Sequence, residues 1–248
     1  MNNIKLPTKL AVILSVLSVV ILCSGPIGYK SGVLPLQPAL LSLIVSLGIA
    51  VVALLLSLIL LVMVKEQGFT QNRKCITTAV LLSLVPVILV ATQLKVAVSV
   101  PEIHDITTDT VNPPVFEEIA ILRKEAPNDL VYEYQGSAEK LAELQHAAYP
   151  DLRSLTSSLP INKVVDHSIR ILQEQGLEVI NVDHTKGLVE ATATSFWYGF
   201  KDDVVVRIQM ANQGSRIDLR SVSRVGRSDV GVNAARIRTF SEKFKALE

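Results

Sequence analysis

The stretch Gly187–Arg224, "GLVEATATSFWYGFKDDVVVRIQMANQGSRIDLRSVSR", decides the fold, because it alternates apolar and polar residues with a period of two. That is the period of a β-strand with one face buried. The alternation predicts strands over 188–196, 203–210 and 216–224, with a further one over 178–182. Val189, Ala191, Ala193, Val204, Val206, Ile208, Met210, Ile217 and Leu219 fall on one face. Glu190, Thr192, Thr194, Arg207, Gln209, Asp218, Arg220 and Arg224 fall on the other, which therefore mixes arginine with carboxylate. The turn "ANQGS" leaves two registers of the right parity. Met210 opposite Ser215 sets Arg207 against Asp218, whereas Met210 opposite Ile217 sets Arg207 against Arg220. Opposite charges facing one another contribute ~0.2–1 kcal/mol and like charges cost a similar amount, so the first register is expected.

Helices flank these strands. Ser137 is placed to cap a helix over 138–148. A second helix runs over about 161–175, from Pro160 to a stop at Gly176. The last spans about 229–247, with Val230, Ala234, Ile237, Phe240, Phe244 and Leu247 at helical spacing. Residues 101–135 read as irregular, punctuated by "VNPPV" and "EAPND", with a short helix over 115–124. The pattern predicts an α+β two-layer domain with helices on one face of an antiparallel sheet.

Upstream the composition changes. The chain is 49% hydrophobic, high for a purely soluble protein, and splitting it at Pro101 explains why. Residues 1–100 carry seven Lys/Arg and one acidic residue, and residues 101–248 carry seventeen and twenty-two. Apolar runs at about 10–28, 39–64 and 76–94 each match the ~20 residues that cross a bilayer as a helix. The third contains Pro86, which removes one backbone donor. The expected organisation is a transmembrane region over 1–100 and a soluble domain over 101–248. The first run reads as an uncleaved helix, since no small-x-small site follows it and Leu22 stands where a lipoprotein box "VILC" needs a small residue.

Basic residues set the side. Lys5 and Lys9 precede the first run, Lys30 alone lies in the first loop, and Lys65, Arg73 and Lys74 flank the second. The positive-inside rule then puts the N-terminus in the cytoplasm and residues 101–248 in the periplasm of a bacterium, across the inner membrane. That location excludes nucleic acid as the partner of the arginine-dense C-terminus. Cys23 and Cys75 both lie in the first half, so the second half has no disulfide framework and no thiolate metal site.

Two readings of the arginines stand open. They pair internally with carboxylates, as planar guanidinium groups do. Alternatively, Arg207, Arg220, Arg224 and Arg227 line an anion site with Asp218 as orienting partner, aided by backbone N–H groups of the turn "VGRSDVG". "IHDITTD" brings His104, Asp105 and Asp109 close in sequence without the spacing of a metal site. No metal or cofactor is expected. Neither a phosphate loop, a dinucleotide fingerprint nor a hydrolase elbow is present. The reading is a non-catalytic binding or accessory module of the envelope, whose partners are the lipid bilayer and an anionic envelope ligand. The alternatives are a hydrolase of envelope material using His104, Asp105 or Asp109, and a structural partner of another membrane protein. "FWYGF", Phe196–Phe200, reads as a plug at the sheet edge, a pocket lip or a bilayer anchor.

"PEIHDITTDTVNPPVF", "YPD", "GLVEATATSFWYGFKDDVVVRIQ" and "IDLRSVSRVGRSDVGVNAARIR" are spread over nearly all of residues 101–240. In these stretches the soluble half resembles the domain of unknown function 1499 family of bacterial envelopes and plastids. The resemblance implies a membrane-attached α+β domain and implies no reaction.

Overall fold

The computed structural model describes residues 5–67 and 70–247. They form two compact units, one running to Val96 with Trp197–Gly199 and the other comprising Ala97–Phe196 with the chain from Phe200.

The first unit holds α1 (Lys5–Lys30), α2 (Leu36–Gln67) and α3 (Thr70–Ser99), each long and apolar enough to cross a membrane. The helices outrun the apolar runs at both ends, because helical hydrogen bonding continues where hydropathy stops. Pro86 lies inside α3, and Pro26 inside α1. Small residues let α1 and α2 approach closely: Ala11, Ala39, Ala50 and Ala53 are fully buried. Ser46 Oγ donates to the Ser18 carbonyl at 2.7 Å, an interhelical bond suited to an apolar setting. A Cβ on Gly25 would lie 2.4 Å from the Ala39 carbonyl oxygen, so this contact requires glycine. Residues 68–69, and the side chain of Lys65 used above for orientation, lie outside what is described.

The second unit is built on β1 (Asp105–Thr107), β2 (Leu155–Ser157), β3 (Glu178–Asp183), β4 (Leu188–Thr194), β5 (Lys201–Met210) and β6 (Ser215–Ser223). All pairings are antiparallel, in the order β1-β6-β5-β4-β3, with β2 also on β6. Met210 pairs with Ser215 and Arg207 with Asp218, the register expected from charge. β1 and β2 were not expected, since three residues are too few to show a period. They share one edge of β6, and between them Thr108 replaces a strand residue: its N–H donates to the Leu219 carbonyl and its hydroxyl accepts from the Leu219 N–H, both at 2.9 Å.

Helices α5 (Ala138–Ala148), α6 (Ile161–Glu174) and α7 (Val232–Lys245) lie near their expected bounds. Gly176 ends the turn after α6 with φ +79°, as the stop signal required. Val164, Val165, Ile171 and Leu172 of α6 and Ala234, Ile237, Phe240 and Phe244 of α7 bury one core with Val189, Ala191, Val204, Val206, Ile208, Ile217 and Leu219 of the sheet. Met210, expected on this face, is 83% exposed. It occupies the last pair of the hairpin, two pairs beyond the Ile208–Ile217 pair where the core ends. Ser137 caps α5 by accepting from Lys140 N–H at 3.2 Å. Ser137→Ala is expected to cost about 1 kcal/mol of local stability, read from amide exchange in α5.

The sheet has a second cover. Phe116, Ile119, Ala120 and Leu130, from the segment read as irregular, pack on Leu188, Val205 and Val222. This segment holds α4 (Glu118–Leu122), shorter than the expected 115–124. Helices α5, α6 and α7 therefore lie on one face and a Pro-rich strap carrying α4 on the other, and the polar face is enclosed rather than open.

The register also orders the two ends of the sheet. Thr192, Asp203, Val222 and Asp105 stand in one row across β4, β5, β6 and β1. The end where the chain arrives from Ser99 is thus the end of the β4–β5 turn. Arg216 lies seven residues down β6 from Ser223, about 23 Å away.

Candidate functional site

Alternation along β6 sets Arg216, Asp218, Arg220 and Val222 on the strap-covered face. Beside them on β5 stand Gln209, Arg207, Val205 and Asp203, and on β4 Leu188, Glu190 and Thr192. Charged residues here are deeply buried: Glu190, Asp203 and Asp218 have no exposed surface, and Arg220 is 4% exposed. Burial of that kind is tolerated only with partners, and the chain supplies them in three clusters.

In the middle, Arg220 clamps Asp105, with Nε to Oδ1 at 3.0 Å and Nη2 to Oδ2 at 2.6 Å. It also donates to the carbonyls of Pro114 at 3.2 Å and Leu130 at 2.8 Å, which fastens both ends of the strap to the sheet. Its guanidinium lies 5.8 Å from the Phe116 ring centroid and 5.7 Å from that of Tyr132. Burial, reinforced by Asp105, raises the Tyr132 hydroxyl above its ordinary pKa.

Toward the chain-arrival end, Asp203 is shared. Arg224 reaches it through Nε at 2.8 Å and Nη2 at 2.9 Å, Arg123 through Nη1 at 3.0 Å and Thr192 through its hydroxyl at 2.7 Å. Desolvation lowers the Arg123 pKa, opposed by the attraction of Asp203.

At the far end, Arg207 Nη2 bonds Asp109 and Asp218, each at 2.9 Å. Arg216 Nη2 bonds the same Asp109 oxygen at 2.9 Å and the Ser154 hydroxyl at 3.0 Å. Ser154 in turn donates to Asp218. The buried Nε atoms of Arg207 and Arg216 make no hydrogen bond. Arg216 Nε is only 3.1 Å from Asp218 Oδ2, so the contact is electrostatic, off line for a bond. This cluster is the most open of the three: the Arg216 side chain is 44% exposed, against 17% for Arg224 and 4% for Arg220.

The five residues expected to form one site therefore fall in four places. Arg207 and Asp218 stand together, joined by Arg216, which the alternation had not marked because its partner Gln209 is neutral. Arg220 is in the middle cluster, and Arg224 is on Asp203. Arg227 lies outside the covered face, 80% exposed and 3.1 Å from Glu102. Every arginine from Arg207 to Arg238 contacts a carboxylate, Arg236 with Asp202 and Arg238 with Asp151 completing the series. Internal pairing, one of the two readings left open, is thus realised throughout this stretch.

Two buried carboxylates have roles that the sequence reading did not assign. Glu190, buried without a basic partner, accepts from the backbone N–H groups of Glu117 at 2.7 Å and Glu118 at 2.9 Å and from Asn181 at 2.9 Å, pinning the strap where α4 begins. Asp229 accepts from the N–H groups of Gly231 and Asn233 at the start of α7, and burial raises its carboxyl above the usual range. Their only signal is a carboxylate on a strand face or before a helix, which many exposed residues share. Asp105 and Asp109 go to separate clusters. Among the described residues no group of three or more His, Cys, Asp or Glu is disposed to hold a metal.

Residues 105–244 match the family model described as a protein of unknown function, DUF1499. This chain belongs to the DUF1499 family. The match begins at Asp105 and takes in all three arginine clusters, while the three apolar helices lie N-terminal to it. For this DUF1499 chain no curated protein matches.

Proposed function

We propose that the protein is a non-catalytic envelope module, anchored in a bacterial inner membrane by three spans and displaying its DUF1499 domain in the periplasm. The basic residues flanking the apolar helices support that orientation. The domain's task on this reading is to hold an anionic group at the Arg207–Arg216 end. One observation carries it: of the arginine clusters on the covered face, this one combines a half-exposed guanidinium with a second beside it. Asp109, between β1 and the strap, bridges the two and takes the position a ligand carboxylate or phosphate would occupy.

Thermal unfolding of the full chain in mild detergent tests it, titrated with glycerol phosphate and with an anionic cell-wall peptide. A rise in midpoint with either, enlarged by Asp109→Asn and abolished by Arg216→Ala, is expected. At a ligand concentration 100 times Kd the stabilisation is about 2.7 kcal/mol. No rise with either ligand overturns the anion site.

A second reading, docking to another membrane protein, is favoured by the exposure of Val111, Val115, Ile121, Leu122 and Val131 along the strap. Stoichiometric co-purification lost on Ile121→Asp and Leu122→Asp would support it.

A further inference from the structure

We propose that the turn between β4 and β5 is a second membrane contact, with Phe196 and Trp197 seated in the headgroup–acyl boundary of the bilayer that α3 leaves. The proposal rests on the membrane reading of α3 and is independent of the anion site. The turn is rigidly made: Ser195 N–H donates to the Phe200 carbonyl at 2.8 Å, and Phe200 N–H to the Ser195 hydroxyl at 2.9 Å. Gly199, at φ +72°, reverses the chain between them. This closure pushes consecutive aromatics to the tip, where Phe196 is 90% exposed and Trp197 39%. A phenylalanine so exposed at the end of a tied hairpin is costly in water and at home in a bilayer interface, as is tryptophan.

Register brings the arriving chain and the aromatic turn to one end of the sheet. Ser223 N–H donates to the His104 carbonyl at 3.0 Å, and the next residue, Arg224, donates to the Lys201 carbonyl at 2.9 Å. The chain arriving from the span and the foot of the aromatic turn are thus bonded to neighbouring residues of one strand end. Between Ser99 and Asp105 the connection is so short that it spans at most about 22 Å. The same end carries exposed Lys201, a sign that suits an anionic leaflet, while Arg227 there is paired with Glu102. Phe196 and Lys201 thus mark the end of the sheet that lies about 23 Å from Arg216 along β6.

Trp197 is the only tryptophan in the chain, so its emission reports on this tip alone. The full chain is reconstituted into phosphatidylcholine–phosphatidylglycerol vesicles, with and without phosphatidylcholine brominated high on the acyl chain. A roughly twofold loss of emission in the brominated vesicles is expected for an indole at that depth. Phe196→Asp should restore most of the lost emission while leaving the circular dichroism spectrum unchanged. Emission equal in the two vesicle types overturns the proposal. If iodide in the aqueous phase then quenches it, the tip stands in water; if iodide does not, the tip is buried in protein.

Discussion

Replacing Arg220 by alanine is expected to destabilise the sheet domain by about 3–5 kcal/mol, the cost of leaving a buried charge without its partner. Asp105, 3% exposed, would lose both bonds from the guanidinium fork. The carbonyls of Pro114 and Leu130 would lose their donor at the same time, so the strap would loosen as a unit. Arg220→Lys should recover only part of the loss, because an ammonium cannot make the bidentate contact or lie flat between Phe116 and Tyr132. Amide exchange in the full chain in detergent measures this, with the largest change at β1 and residues 114–130. Unchanged protection there would show that the pair is not what holds the strap.

Asp203→Asn is expected to have an effect of similar size, about 3–5 kcal/mol, for a different reason. The side chain keeps its shape, but Arg123 and Arg224 then share a site with no negative charge between them. Arg123 is 2% exposed and cannot turn to water. The repulsion can be isolated: Arg123→Met should cost stability in the parent yet restore part of it in the Asp203→Asn background. A double-mutant cycle on β5 amide exchange gives the coupling directly, and additive effects would contradict the shared-carboxylate account.

The sheet was legible because its information is local. Val204, Val206 and Ile208 alternate within one strand, and the Arg207–Asp218 pairing follows from a short turn and the sign of two charges. The strap was not legible. Its residues show no period, and it is held by Arg220, Glu190 and Asp203, whose contacts reach it from distant parts of the chain. Which aspartate meets which arginine across such a separation leaves no trace in spacing. The candidate site suffered accordingly: face parity grouped Arg207, Arg220 and Arg224 correctly, but their division into clusters depends on Asp109, Asp105 and Asp203 arriving from elsewhere. Arg216 shares that parity, yet its opposite number is uncharged Gln209.

The two short strands along the edge of β6 bear on the order of folding. Synthesis delivers Asp105–Thr107 and the strap well before Ser215–Ser223 exists to receive them. The β3–β6 meander forms from neighbours and closes small loops, whereas β1 must close a loop of more than a hundred residues. Until that late step, the nascent chain keeps one strand margin unpaired and its buried carboxylates wet. The domain is then most open to proteolysis and to mispairing with another copy.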